Sequence, residues 1–159
     1  MPISNPEQLP TTGKIIAFDV GSKTVGLALS DKSRTIASPL KTLKREKWTK
    51  DKEIIRQIIE KELVTCAVVG LPLNMMGEET PQTKSCISFA MNVEEAMGIP
   101  VLLWDERLST VSATNALFEQ RQGRQTRASK KDIKAQVDSV AAAIFLQAVL
   151  EGLRFRGGF

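Results

Sequence analysis

Four carboxylates sit where the surrounding residues are apolar or about to turn. Asp19 follows Ile15, Ile16, Ala17 and Phe18 in the stretch IIAFDVGSKTVGLALSD, Asp105 and Glu106 close the run VLLWDE, and Asp138 lies in KAQVDSVAAAIFLQAVLE. An ionised acid without a partner is costly to bury, so an acid that ends an apolar run is a structural cap or a functional group. The chain has no histidine, which excludes Ser-His-Asp and Cys-His nucleophilic catalysis together with histidine-based zinc sites. Cys66 and Cys86 lack the paired spacing of a zinc site or a dithiol motif and read as two buried thiols. Chemistry therefore falls to carboxylates, hydroxyls, lysines or a metal held by oxygen ligands. Carboxylates that converge repel one another, and a hard divalent cation such as Mg²⁺ or Mn²⁺ relieves the repulsion while keeping water positions open. Two such ions about 3.5–4 Å apart can activate a water and stabilise the leaving oxygen in phosphodiester hydrolysis.

Taken singly, each acid has an ordinary alternative. Asp19 can close a turn, Asp105 or Glu106 can cap a following helix, and Asp138 can pair with Lys134 one helical turn away. What argues for convergence is position, because the strand ends of an open sheet share one edge, where ligands and catalytic groups collect.

The basic residues fall into two segments. Residues 41–52 contain Lys44 and Arg45, and residues 121–131 contain Arg121, Arg124, Arg127 and Lys130; Lys23 and Arg107 lie beside the acids themselves. With a net charge of +4 and a pI of about 9.2, these eight are candidates for phosphate contacts, and a nucleic-acid partner is permitted though not required. Trp48 is the aromatic residue in the first segment, and the second has none for base stacking. A length of 159 residues fits one domain that buries its own core. The longest near-apolar stretch, VAAAIFLQAVL, falls short of the roughly 20 residues a membrane span needs. No basic-then-apolar leader follows Met1, so the expectation is a soluble cytoplasmic protein, monomer or homodimer, with no membrane partner.

The elements that must position the acids follow from periodicity. Residues 1–13 carry three prolines and no apolar period and read as a flexible tail. Residues 15–20, 25–31 and 35–43 read as three short strands joined by tight turns, an antiparallel meander. Residues 49–63 then place Ile54, Ile55, Ile58, Ile59 and Leu63 on one helical face. CAVVGLPL reads as a strand buried on both faces, Thr80 and Pro81 as the cap and first turn of a helix stopped by Gly98, and VLLWDE as another buried strand. Helices over 109–121 and 130–150 complete the order, with residues 153–159 as a C-terminal tail. Gly21 lets the chain turn after Asp19, Gly26 leaves room for a close approach, and Ala141, Ala142 and Ala143 let the last helix lie near the sheet. The expected fold is α/β, a mixed five-stranded sheet of a three-strand meander and βαβ units with helices on both faces.

FDVGSKTVGLALSD, VVGLPLNMMGEE, DERLST and VDSVAAAIFLQ, in that order, resemble the YqgF/RuvX family, regarded as nucleases of pre-16S rRNA with an RNase H-like fold related to Holliday-junction resolvases. The resemblance spans residues 14–150 and implies a nuclease domain over 14–152. It implies a site built from Asp19, Glu106 and Asp138 that binds Mg²⁺ or Mn²⁺, with Asp105 an additional ligand or a structural acid. Alternation along a strand puts Asp105 and Glu106 on opposite faces. Related resolvases carry an acid on the strand next to the first; here CAVVGLPL has none, and Asn74 and Gly77 occupy the loop that follows it. The implied substrate is structured RNA, with branched DNA as the alternative. Two readings of other classes are a sugar-kinase or actin-like ATPase, in which a DxG turn also holds phosphate, and a non-catalytic rRNA-binding assembly factor.

Overall fold

A computed structural model of the chain describes residues 2, 8–72, 80–105 and 130–155, with side chains for all of these but 130–138 and 154–155. Strands β1 (Lys14–Val20), β2 (Thr24–Ser30) and β3 (Ala37–Lys44) come first, then helix α1 (Trp48–Glu62), β4 (Val64–Leu71), α2 (Pro81–Met97), β5 (Val101–Asp105) and α3 (Lys130–Phe155). They form a five-stranded sheet in the order β3-β2-β1-β4-β5. The three meander strands are antiparallel to one another, while β1–β4 and β4–β5 are parallel. The mixed sheet, a three-strand meander followed by parallel strands, is as the sequence led one to expect. The strand expected over 35–43 starts at Ala37, and β4 starts at Val64, before the CAVVGLPL run.

Period-2 alternation divides the core in two. Ile16, Phe18 and Val20 of β1 pack with Ile55 and Ile59 of α1 and Cys86, Phe89, Ala90 and Val93 of α2. Ile15 and Ala17 face the other way, toward Ala142, Ala143, Phe145, Leu146 and Val149 of α3. Helices thus cover both faces. Residues 15–18 are wholly enclosed, as are residues 66–69 of the neighbouring β4, so β1 is buried on both faces at the centre of the sheet. Both cysteines are free and buried, and burial pushes the Cys66 thiol above its ordinary value, keeping it protonated and inert.

The helix ends follow local chemistry. Thr80 caps α2 through a reciprocal box with Thr83, and Gly98 closes it in the left-handed region. In α1 no side chain at Lys47 makes a cap bond; the buried carboxylate of Asp51 instead accepts from the Glu46 N–H at 3.1 Å. Leu63, expected on the apolar face of that helix, is its left-handed C-cap (φ 55°) and stands 70% exposed. The chain needs a left-handed residue there to enter β4 at Val64, and geometry overrides the side chain's preference. The last helix runs past the expected Leu150 to Phe155, because Leu153 still has core to cover. The helix expected over 109–121 lies outside the described residues. Among the described residues no helix is long and apolar enough to cross a membrane.

The tail expected over residues 1–13 needs correction for its last part. Leu9 is buried against the α3 side of the sheet. Arg34, itself only 2% exposed, donates to the carbonyls of Pro10, Thr12 and Gly13 at 2.6, 2.9 and 2.8 Å. Arg34 sits in the left-handed region (φ 56°) at the β2–β3 turn, where Asp31 accepts from the N–H groups of Thr35 and Ile36 and from Ser33 Oγ. A run without apolar periodicity is here fixed by one guanidinium fork, which sequence periodicity does not register.

Arg34→Met keeps the aliphatic volume and removes all three bonds. Urea unfolding should show a loss of about 3 kcal/mol, and limited proteolysis should cut within residues 8–13 before the rest of the domain opens.

Candidate functional site

Asp19 stands on the same face of β1 as Ile15 and Ala17, the face covered by α3, one residue before the strand ends. Its side chain is half-buried. Its register partner on β2 is Gly26, which pairs in turn with Thr42 on β3. On the other side, β1 and β4 run parallel through Phe18↔Val69, so the next step of the ladder sets Gly70 beside Asp19, and Gly70 pairs with Trp104. The row across the sheet is therefore Thr42, Gly26, Asp19, Gly70, Trp104. With adjacent strands about 4.8 Å apart, the nearest same-face neighbour on each side of the carboxylate carries no side chain. Gly26 fulfils the expected role of leaving room; Gly70 adds a second such position, which the sequence reading did not single out.

The chain then turns tightly. Gly21 N–H donates to the Thr24 carbonyl at 2.8 Å, and a Cβ at Gly21 would lie 3.0 Å from that same oxygen. The need for glycine here comes from this close approach. Two side chains brace the turn. Arg45, just past β3, donates Nη1 to Gly21 O at 2.8 Å, while its own N–H reaches Lys23 O at 2.8 Å and its guanidinium lies over the Phe89 ring, 5.9 Å from the centroid. Gln82, in the first turn of α2, donates Nε2 to Val20 O at 2.8 Å. Gln82 was not among the residues singled out from sequence, since nothing in a single chain ties a helix-start glutamine to a strand 62 residues away. Arg45, a candidate for phosphate contact, is engaged with the protein through these bonds.

The other acids divide by face. Asp105 ends β5 with the parity of Val101 and Leu103, which pack on the α1/α2 side. Alternation therefore directs it away from the face of Asp19. Glu106 lies outside the described residues, as do Asn74, Gly77, Arg107, Arg121, Arg124 and Arg127. Asp138 is on α3, which packs on the Asp19 face over β1, β2 and β3; Lys130 starts the same helix. Lys23 in the β1–β2 turn and Lys44 at the end of β3 are exposed at the strand edge that Asp19 approaches. Among the described residues no group of three or more acids, cysteines or histidines is gathered tightly enough to hold a metal.

With this geometry in hand, the comparisons with known proteins are consistent with one another. The family described as RuvX, Holliday junction resolvase, matches residues 13–152. A protein of Paracoccus denitrificans (strain Pd 1222) named "Putative pre-16S rRNA nuclease" is 42% identical over 151 residues, which cover 95% of this chain and 92% of that protein. A protein of the same name from Zymomonas mobilis is 44% identical over 145 residues, 91% of this chain and 85% of that one. Among solved structures, RuvC of Thermus thermophilus aligns with a TM-score of 0.56 over 91% of this chain and 96% of its own, at 11% identity. RuvC from the same source in complex with Holliday junction substrate aligns at 0.54 over 92% and 96%, at 13% identity. At such identity the likeness is one of fold: an RNase H-like sheet.

Gly21→Ala forces the Thr24 carbonyl to give way and should cost about 1–2 kcal/mol, read as a lower thermal midpoint, even though alanine is otherwise the better strand and helix former.

Proposed function

The chain belongs to the RuvX family, and from that premise we propose that it is a metal-dependent nuclease of the cytoplasm, acting on the 5′ end of pre-16S rRNA. The observation that carries the reading is the setting of Asp19: a half-buried acid at the edge of the central strand, with glycine on either side of it and the Asp138-bearing helix across the same face. The spans support it further. Gln147 ties α3 to the start of β3, at the sheet end opposite Asp19, through Ala37 N–H and Thr35 O. Ala142 and Ala143, on the N-terminal side of Gln147, pack over the sheet. From Gln147 back to Asp138 is nine residues (147 − 138), about 13 Å along a helix, and from Ile15 to Asp19 is about 13 Å along a strand. The two acids are thus offset from their anchors by matching distances.

In this reading Asp19, Glu106 and Asp138 hold Mg²⁺ or Mn²⁺, two ions in the fullest form of the proposal. The donor set fits: hard oxygen ligands, no competing imidazole or exposed thiol, and glycine at the register positions flanking Asp19. A bound ion of this kind supplies charge stabilisation at the phosphate oxygens and lowers the pKa of a water. Asp105, on the other face, is a structural acid. Lys23 and Lys44 meet backbone phosphates at the strand edge, and Arg107, Arg121, Arg124, Arg127 and Lys130 do so on the remaining rim. Recognition follows nucleic-acid shape more than base sequence, since phosphate contacts position without specifying.

Asp19→Asn and Glu106→Gln should each abolish cleavage while leaving the fold intact, and Asp105→Asn should lower it by no more than a factor of a few. Excess EDTA should stop the wild type, and Ca²⁺ should support binding with little cleavage. The deciding assay offers wild type and Asp19→Asn a precursor rRNA 5′-end fragment and a four-way DNA junction side by side with Mg²⁺ or Mn²⁺. Cleavage of the junction alone moves the substrate to branched DNA, and tight RNA binding without cleavage by either protein moves the function to ribosome assembly.

Replacing Arg121, Arg124 and Arg127 together by Ala should weaken binding to every substrate alike. The slope of log affinity against log salt should become shallower by about 2–3.

A further inference from the structure

Two braces converge on the backbone that leaves Asp19. On one side Gln82 Nε2 holds Val20 O, and on the other Arg45 Nη1 holds Gly21 O, each at 2.8 Å. Those are the first and second carbonyls after the acid. Neither donor is free to wander. Gln82 belongs to the first turn of α2, whose cap is the Thr80–Thr83 box. The Arg45 guanidinium is laid against Phe89, which stacks edge-on with Phe18 at 5.3 Å and with Trp48 at 5.7 Å in the core. The Arg45 N–H also reaches Lys23 O, so the β1–β2 turn is pinned at two of its carbonyls by one residue.

We propose that Arg45 and Gln82 are positioning residues for the Asp19 carboxylate: a two-sided clamp that fixes the strand end from which Asp19 reaches a divalent cation. The inference rests on the nuclease reading above and deepens it. A carboxylate that ligates a hard cation must hold its oxygens to within a few tenths of an ångström, and partners behind such ligands typically matter by about 10–100-fold in metal affinity or activity. β1 pairs with β4 through Phe18 and with β2 through Val20, and the turn opens one residue after Asp19, so how that turn is held bears on the torsions that aim the Asp19 side chain. This also reassigns Arg45. A lysine there could keep the charge that a phosphate contact uses, but it lacks the planar guanidinium that holds Gly21 O while lying over the Phe89 ring.

The test compares wild type, Arg45→Lys, Gln82→Leu and Lys23→Ala by three readouts. Mn²⁺ affinity is measured by electron paramagnetic resonance of free Mn²⁺ without nucleic acid. Precursor rRNA affinity and its salt slope are measured in Ca²⁺, and kcat and KM in Mn²⁺ on the same RNA. Arg45→Lys and Gln82→Leu should each weaken Mn²⁺ binding and lower kcat by about 10–100-fold, with RNA affinity and salt slope unchanged. Lys23→Ala should do the reverse, reducing RNA affinity and the slope while sparing Mn²⁺. Hydrogen exchange at the Gly21 amide, protected in wild type by Thr24 O, should quicken in both clamp variants. Unchanged Mn²⁺ affinity in folded Arg45→Lys and Gln82→Leu overturns the clamp, as does a loss of RNA affinity in Arg45→Lys with Mn²⁺ binding intact. If the wild type binds Mn²⁺ tightly but cleaves nothing, the nuclease reading fails, and the clamp still stands or falls on the Mn²⁺ affinities.

Discussion

The two-sided burial of β1 is the constraint from which the rest of the molecule follows. Residues 15–18 are shut off from solvent by α1 and α2 on one face and by α3 on the other. No ionised group can stand within such a stretch without a partner, so a carboxylate on this strand has to wait for the place where the layers part. That place is Asp19. The parallel pairing of β4 to β1 and of β5 to β4 then brings the ends of three strands to the same edge, and the antiparallel meander returns Lys23 and Lys44 to it from the other side. That edge carries the half-buried Asp19 with the exposed Lys23 and Lys44 around it, and the buried strand dictates where it lies.

Close approach by α3 depends on small residues meeting small residues. Ala142 and Ala143 pack among Ala17, Ala28 and Ala37, and side chains this short let backbone approach backbone. Bulkier residues at those positions would lift the helix from the sheet. The long helix is therefore more than a cover for the second half of the core. Its anchor is polar and specific, since the Gln147 amide both accepts from Ala37 N–H and donates to Thr35 O. An apolar contact could slide by a residue; a two-point amide bond resists that, and with it the register of every residue further along the helix.

Charge in this protein is not all addressed to a ligand. Arg34 is buried and holds the segment before β1 by three carbonyls, and Arg45 braces the turn after β1. Both ends of the central strand are thus held by arginine, with Gln82 assisting at the end that bears the acid. The formal net charge of +4 counts both arginines as though they were available to phosphate, and the basic surface is correspondingly smaller than composition suggests. Lys23 and Lys44 stand exposed beside them.

The sequence by itself determined the order of the described elements and the mixed sheet they form. Strand and helix periods, the Thr80–Pro81 start, the Gly98 stop and the run before Asp19 are local signals, each set within a few residues of the chain. It also excluded histidine chemistry outright. What only tertiary structure decided is of another kind. That Gly70 lies beside Asp19, that Asp105 shares a face with Val101 and not with Asp19, and that Leu63 is sacrificed to a left-handed turn all depend on register and chain direction, which link residues far apart in sequence. The same holds for Arg34, Arg45 and Gln82, whose donors meet carbonyls 21 to 62 residues away. A backbone carbonyl looks alike at every position in a sequence, so no pattern of residue types announces which of them a distant side chain will hold; packing alone selects it.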